Sequence, residues 1–439
     1  MGYNLNVMYK LKKAKSVKGE LRVPSDKSIS HRAVILSAIA EGKSVIRNWL
    51  SSEDTLATLQ IAKALGTKVE TKGNELMITG RDFNFCEPDH VLDARNSGTT
   101  ARLFLGVLAT QEFFSVITGD ESLRNRPMLR VVEPLKQMGA FLDGREKGNK
   151  LPICVRGGKL KGVSFFNKRA SAQVKSSLLL AGLKAEGITE ITEPYLSRDH
   201  TERMLKLFGA NITQLEGSSG HIIKIAGGQK LYGCEVSCPA DPSSASFFVA
   251  LATLLEDSHL ILKDVLINPT RDGFFRKLRQ MGAYVEYANV REVSGEPVAD
   301  IVVEGGRKLK GVNITKEDVP SLIDELPLLA LVMSLAEGSS MVKGAEELRF
   351  KESDRIKAVV ENLRSMGAKI EEYEDGFYIE GVEKLKGANI KTYSDHRIAM
   401  TFSVAGLVAE GETTIDNPEC VSVSYPNFYE DLNKIILQT

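Results

Sequence analysis

Five times along the chain a helix-like run ends in glycine and gives way to a run in which apolar and polar positions alternate. The phrases are AKALGTKVE (62–70), LKQMGAFLD (135–143), LKLFGANIT (205–213), LRQMGAYVE (278–286) and LRSMGAKIE (363–371). Glycine just past a helix supplies the left-handed residue that caps it. Alternation with period two, as in Ala283–Tyr287, predicts a half-buried strand. A second phrase, KLKGVSF (159–165), KLYGCEV (230–236), KLKGVNI (308–314) and KLKGANI (384–390), is expected to open a unit wherever it occurs. A third, AEG before a strand, falls mid-unit at 40–42, 185–187, 336–338 and 409–411. Together they predict six units of strand–helix–strand–helix–strand. The first lacks a clear opening phrase, and the last is cut short after Leu432. Glycines 70 to 85 residues apart repeat too slowly for ordinary solenoids. They predict α/β domains in which helices pack on sheets. Three units per domain places the boundary near Cys238–Pro239.

Composition narrows the function classes. Of 439 residues, 43% are apolar and 26% charged, the balance of an ordinary globular protein rather than a disordered or fibrous one. Lys and Arg together number 57, as do Asp and Glu. The basic excess usual in nucleic-acid binders is therefore absent from the total. The longest apolar run, around Leu326–Met333, falls short of a bilayer span. Lys10, Lys12, Lys13 and Lys15 are not followed by the apolar segment of a secretory signal. Cys86, Cys154, Cys234, Cys238 and Cys420 are sparse and odd in number, which suits a reducing compartment. Cys234 and Cys238 have no second Cys/His pair at zinc spacing and read as ordinary thiols.

The predicted helix starts run against electrostatic expectation. A helix N-terminus carries about half a positive charge, so a cation there is disfavoured by roughly 0.3–1 kcal/mol. Yet PSDKSISHR places Lys27 and Arg32 after a cap at Ser25 or Asp26, and NSGTTAR places Arg102 after Asn96 or Ser97. LSRDHTE sets Arg198 beside the cap candidate Asp199. YSDHRIAM sets His396 and Arg397 after Asp395. KRASAQVK surrounds Ser171 with Lys168, Arg169 and Lys175. Convergence on anions explains this pattern: helix N-termini bind phosphate or carboxylate, and cations add charge-assisted hydrogen bonds. Ser28, Gly98, Thr99, Ser171 and Ser197 leave room for close approach, and Gly98 suits a ligand touching the backbone. RNRPMLR (124–130) adds Arg124, Arg126 and Arg130.

Two segments carry carboxylates of interest. In ELRFKESDRIKAVVENL, Lys351 and Arg355 are spaced i,i+4 and are expected on one helical face, with Glu352 between them. In PSLIDELPLLALVMS, Asp324 and Glu325 precede an apolar helix. Each carboxylate reads either as a capping or salt-bridged group or as a positioned acid–base.

These stretches together closely resemble the 5-enolpyruvylshikimate-3-phosphate synthase family. The likeness runs in order through DKSISHR (26–32), NSGTTARL (96–103), RNRPM (124–128), SAQVKS (171–176), SRDHTE (197–202), DPSSASFF (241–248), NPTR (268–271), PSLIDE (320–325), LRFKESDR (348–355) and SDHRIAM (394–400). The resemblance implies a fold of two similar domains, each with three repeated βα units, and an active site in the cleft between them. It implies one domain at 24–238, carrying most of the shikimate 3-phosphate site. The other, at 1–23 and 239–439, would carry the catalytic acid and base and part of the phosphoenolpyruvate site. The implied reaction transfers enolpyruvyl from phosphoenolpyruvate to the 5-hydroxyl of shikimate 3-phosphate and releases phosphate. No metal or cofactor is implied. The expected protein is a cytoplasmic monomer with small-molecule partners, and with neither nucleic acid nor membrane among them.

Roles carry over by motif. Lys27 would touch both substrates. Ser28, Arg32, Ser171, Ala172, Gln173, Ser197, Arg198 and Lys351 would hold shikimate 3-phosphate. Gly98, Arg126, Arg355 and Arg397 would hold phosphoenolpyruvate. Asp324 would sit at the 5-hydroxyl, Glu352 would exchange the methylene proton, and His396 would support proton transfer. Departures from the pattern are VSVSYP (421–426), which lacks a lysine found in some members, and Glu347, where some have asparagine. Gly98, alanine in many inhibitor-tolerant members, implies sensitivity to glyphosate in competition with phosphoenolpyruvate. The sister family acting on a UDP-amino sugar usually has a cysteine in the loop before its Arg-Pro pair. GDESLRNRP (119–127) has none. A non-catalytic nucleic-acid scaffold of βα units is the remaining alternative, disfavoured by zero net charge and a single Trp.

Overall fold

The computed structural model describes residues 8–73, 75–218 and 220–437. They form two units, one of residues 25–238 with 292–296, the other of residues up to Pro24 with 239–291 and 297–439. The short stretch 292–296 thus differs from the sequence expectation, which kept it with the C-terminal half. In the structure His200 Nδ1 lies 2.7 Å from Glu296 Oε1, and Arg203 donates to the Gly295 carbonyl.

The unit of residues 25–238 is one pattern made three times. A short strand runs parallel to a longer one, and an antiparallel hairpin completes a four-stranded sheet. In the second copy these are Leu92–Asp93, Phe114–Thr118, Lys150–Arg156 and Phe141–Gly144. In the third they are Ser164–Phe166, Ile188–Glu193, Gly220–Ala226 and Ile212–Gly217. The first copy, Lys43–Arg47 with Lys68–Lys72 and Glu75–Thr79, takes its parallel strand from Glu235–Ser237. KLYGCEV therefore does not open a fourth unit. It completes the first, which is why the first had no opening phrase.

The other unit closes in the same way. Ser16–Leu21 lies parallel to His259–Leu266, and Tyr9–Lys12 lies antiparallel to Glu412–Ile415. The strand missing after Leu432 is thus supplied by the N-terminal segment, while Ile436–Leu437 pairs with Ser16–Leu21. Strand Asn313–Ile314 opens a sheet with Ser339–Val342, Gly376–Glu380 and Lys369–Tyr373.

Glycine caps set these turns. Gly66, Gly139, Gly209, Gly282 and Gly367 have φ between 88° and 109°, and the glycines of the AEG phrase have φ between 88° and 94°. Any L side chain there would be strained.

Helices come in two kinds. Among the described residues, Lys27–Ile39, Gly98–Leu108, Ala172–Gly182, Pro242–Leu254, Leu326–Ser334 and His396–Val408 are buried almost along their whole length. Their later turns are mostly apolar, as in a helix enclosed on every side, while polar and charged residues such as Lys27, Arg32, Lys175, His396 and Arg397 gather in the first turns. In the first unit Gly98–Leu108 and Ala172–Gly182 approach so closely that a Cβ on Gly106 would fall 2.2 Å from the Ser177 carbonyl oxygen. Helices such as Glu53–Ala64, Leu129–Gln137 and Arg355–Ser365 instead bury one face. In the second unit an aromatic group of Phe247, Phe248, Tyr425, Phe428 and Tyr429 fastens the C-terminal helix to the core. Phe428 is fully buried, so Phe428→Ala should destabilise this unit by about 3–5 kcal/mol. A lower denaturant midpoint is the expected reading, and an unchanged midpoint would contradict the packing described.

Candidate active site

Helix starts carry the candidate groups. None of the six buried helices has an acidic residue in its first turn. Some outer helices do, at Glu53 and Asp54, Glu202, and Glu430 and Asp431, whereas Leu129–Gln137, Gly273–Met281 and Arg355–Ser365 do not. Acid residues are what a helix dipole favours at that end; in three of the buried helices that charge comes only from the capping residue, Asp26, Asp241 or Asp395, while the helices starting at Gly98 and Ala172 have serine at the cap position.

In the unit of residues 25–238, Asp26 caps the Lys27–Ile39 helix by accepting from the Ile29 N–H at 2.7 Å. Lys27 Nζ lies 2.8 Å from Asp54. Arg32, nearly buried, donates to Thr201 and Ser176 hydroxyls at 2.7 and 2.9 Å and to the Ser28 carbonyl at 3.0 Å. His31 has its pKa lowered well below the ordinary histidine value by burial, with Lys27 and Arg32 adding to the effect. Its imidazole is therefore neutral and bonds the Thr58 hydroxyl.

Ser97 caps the next buried helix. Gly98 opens it, and a Cβ there would lie 2.9 Å from an Arg102 nitrogen and 3.6 Å from one of Arg126. Arg126 grips Asn96 through its side-chain oxygen at 2.7 Å and its carbonyl at 3.3 Å. Arg102 donates to Gln173 Oε1 at 2.6 Å and to the Pro127 carbonyl at 3.0 Å, and Gln173 donates to Thr99. Lys27, Ser28, Arg32, Gly98, Arg126, Ser171, Ala172 and Gln173 thus stand at or near helix starts of one unit. Ser197 is buried, and its hydroxyl donates to Glu193. Arg198, next in sequence, is half-buried in the stretch before the His200–Leu207 helix.

Two sequence expectations need correction here, those for Lys175 and Asp199. Lys175 is not a cation facing an anionic ligand: it is fully buried between Glu193 at 3.0 Å and Glu202 at 2.7 Å. Burial draws its pKa down, but Glu202 and Glu193 more than offset this and hold it raised. Lys168 and Arg169 are exposed. Asp199 sits at the cap position before His200–Leu207 without capping it, and accepts instead from Arg203 at 2.8 Å.

The second unit gathers the carboxylates. Arg355 is 1% exposed. It donates to Asp395 from Nε at 2.8 Å and to Glu352 at 2.7 Å, and lies 3.5 Å from Asp324. Lys351 donates to the same Asp324 oxygen at 3.1 Å. Arg397 lies 3.7 Å from Glu325, and its N–H is accepted by the capping Asp395. His396 lies 4.0 Å from Asp395. Asp324, Lys351, Glu352, Arg355, His396 and Arg397 are therefore brought together. One local expectation fails: the helix starts at Arg355, capped by Asp354, so Lys351 and Arg355 do not share a helical face. They meet through Asp324, from another segment.

Asp395 has no role in the sequence reading beyond its place before His396 and Arg397. Burial alone would raise its pKa, but the Arg355 guanidinium outweighs this and holds the carboxyl below the usual range. Its role as partner to Arg355 had no local signal, since 40 residues separate them. Asp54, Glu193 and Asn96 were missed for the same reason.

The fold is shared with known enzymes. Two solved structures described as EPSP synthase from Acinetobacter baumannii match with TM-scores of 0.86 at 43% and 42% identity. Each match covers 98% of this chain and 98–99% of the other. A family model described as EPSP synthase (3-phosphoshikimate 1-carboxyvinyltransferase) matches residues 11–432. Relatives named 3-phosphoshikimate 1-carboxyvinyltransferase include those of Aquifex aeolicus, 63% identical over 98% of this chain and 100% of that one, and Persephonella marina, 56% identical over 97% and 99%. The chain belongs to the EPSP synthase family. Among the described residues no helix is long and apolar enough to cross a membrane.

A depressed carboxyl pKa fixes a pH dependence. Asp395 stabilises the fold fully above the ordinary Asp value of 3.8. That contribution drains away as pH falls from there through the lower folded value. Asp395→Asn should lower stability at neutral pH and flatten the acid limb of the unfolding midpoint over about pH 2–5. An acid limb as steep as in the parent protein would count against the Arg355–Asp395 pairing.

Proposed function

We propose that this chain transfers the enolpyruvyl group of phosphoenolpyruvate to the 5-hydroxyl of shikimate 3-phosphate. In the addition step the 5-oxygen bonds to the central carbon of phosphoenolpyruvate. Its proton leaves to Asp324, and the methylene carbon takes a proton from Glu352. In the elimination step Glu352 takes back a proton from that carbon, the carbon–oxygen bond to phosphate breaks, the departing phosphate oxygen takes the proton held on Asp324, and the double bond re-forms. Atoms and charge balance without a further reactant.

One observation carries this reading: a single buried guanidinium, Arg355, holds both Glu352 at 2.7 Å and Asp324 at 3.5 Å. Two carboxylates fixed on one cation are suited to opposite proton transfers in one reaction. Arg355 and Arg397 would grip the acidic groups of phosphoenolpyruvate with Lys27, Gly98 and Arg126, and His396 would support proton transfer. Ser28, Arg32, Ser171, Ala172, Gln173, Ser197, Arg198 and Lys351 would hold shikimate 3-phosphate. The residues around Lys27 would carry most of its binding and those around Arg355 the acid–base chemistry. Five free thiols fit a reducing compartment, and we read the enzyme as a cytoplasmic monomer.

Phosphate release from shikimate 3-phosphate plus phosphoenolpyruvate, with a UDP-amino sugar as the control acceptor, tests the reaction. Activity is expected with the shikimate acceptor alone, and activity with the sugar alone would overturn the assignment. In the same assay Glu352→Gln should cut turnover by roughly 10²-fold or more with modest loss of substrate affinity. Near-parental turnover would remove Glu352 from its role. Glyphosate, an anion slightly longer than phosphoenolpyruvate, should compete with it where Gly98 leaves space beside Arg126. An inhibition constant in the millimolar range would contradict this.

A further inference from the structure

Two of the three serines assigned to shikimate 3-phosphate, Ser171 and Ser197, lie on different segments. Ser171 precedes the Ala172–Gly182 helix as its N-cap residue, but its side chain makes no capping bond. Ser197 lies in the stretch between strand Ile188–Glu193 and helix His200–Leu207. Both are tied to one buried chain of polar groups. Asn167, 3% exposed, donates from Nδ2 to the Ser171 carbonyl at 3.0 Å and to Glu193 Oε1 at 2.9 Å. Its Oδ1 accepts from the Ser171 N–H at 3.3 Å. Glu193, fully buried, accepts from the Ser197 N–H at 3.1 Å and from the Ser197 hydroxyl at 2.7 and 2.9 Å. Lys175 neutralises Glu193 and also donates to the Ser197 carbonyl at 3.3 Å.

Backbone geometry points the same way. Between Asn167 and Ser171, Ala170 holds φ at 45°, a left-handed conformation that costs free energy for a residue with a Cβ. Such a turn persists only where its surroundings hold it. Here the Ala170 N–H is accepted by the Asn167 carbonyl, and the Asn167 side chain bonds Ser171 on both its N–H and C=O sides.

We propose that Asn167 is a positioning residue for shikimate 3-phosphate. Through Ser171 on one side and Glu193 on the other, it sets the separation and direction of Ser171 and Ser197, two of the serines that meet the substrate's phosphate. The inference rests on the reading that Ser171 and Ser197 hold that phosphate. Asn167 itself touches no substrate. Lys175 and Glu193 are the charged frame that lets a neutral amide do this away from water, since a buried polar group is tolerated only when its bonds are made.

The test is the steady-state kinetics of Asn167→Ala, with Ser171→Ala and Ser197→Ala as comparison variants. Loss of hydrogen bonds worth about 0.5–1.5 kcal/mol each predicts a rise of roughly tenfold in KM for shikimate 3-phosphate. KM for phosphoenolpyruvate and kcat should stay within about twofold. If Asn167→Ala does not fold, Asn167→Ser keeps a hydroxyl for the Ser171 N–H but cannot reach Glu193. A rise of a few-fold is then expected. A merely structural role would lower the melting temperature or kcat and leave KM for shikimate 3-phosphate unmoved, which overturns the proposal. If the serine variants raise that KM while the Asn167 variants do not, positioning by Asn167 is wrong and the serine assignment stands. If none of the variants raises it, both fall together.

Discussion

Positive charge set against the positive end of a helix is the constraint on which the rest of this structure turns. The buried helices have no acid within their first turns, only capping aspartates on some of them, and Lys27, Arg102 and Arg397 stand in or near those turns. A chain selected for stability alone would place Asp or Glu there, as two of its outer helices do at Glu53 and Glu202. The cost is tolerable when partners are supplied, and the two units supply them differently. Around Lys27 the partners are mostly hydroxyls and carbonyls: Thr201, Ser176, Asn96, Gln173. Around Arg355 they are carboxylates: Glu352, Asp324, Asp395. The first arrangement keeps positive potential for an acidic ligand. The second spends it on fixing carboxylates, two of which we propose exchange protons.

Placement of those groups follows from the repeat. Each unit presents a buried helix whose start lies beyond a parallel strand, so three repeats deliver three such starts within each unit. Close packing of Gly98–Leu108 against Ala172–Gly182 at Gly106 brings Arg102 within reach of Gln173. The same geometry makes Gly98 a tight position, with arginine nitrogens already beside it. Closure of each unit by a strand distant in sequence, Glu235–Ser237 in one and Tyr9–Lys12 in the other, means that the third repeat is needed to finish the first, and the N-terminal segment to finish the last.

Much of this was legible in the residues. The glycine caps mark helix ends because a left-handed residue is a local demand, and every glycine of the repeated phrase takes that conformation. Site motifs such as DKSISHR and SDHRIAM were readable because the groups that act together lie within a turn of one another. What could not be read was pairing across distance. Asp54 beside Lys27, Asp395 beside Arg355 and Glu193 beside Lys175 are tertiary partners with no periodic signature. KLYGCEV misled because an opening phrase looks the same whether its strand joins the next sheet or an earlier one. Lys175 misled because a lysine near a helix start reads as solvent- or ligand-facing until its burial is known. The i,i+4 spacing of Lys351 and Arg355 misled because the helix begins only at Arg355, capped by Asp354.

Whether those helix starts serve anions is most directly measured by calorimetric titration with shikimate 3-phosphate and with shikimate, which differ by the phosphate alone. Two or more charge-assisted hydrogen bonds at about 1.5–3 kcal/mol each should make the phosphorylated compound bind at least roughly a hundredfold more tightly, with the advantage shrinking as salt is raised. Equal affinities for the two compounds would contradict the anion-binding role of these helix ends.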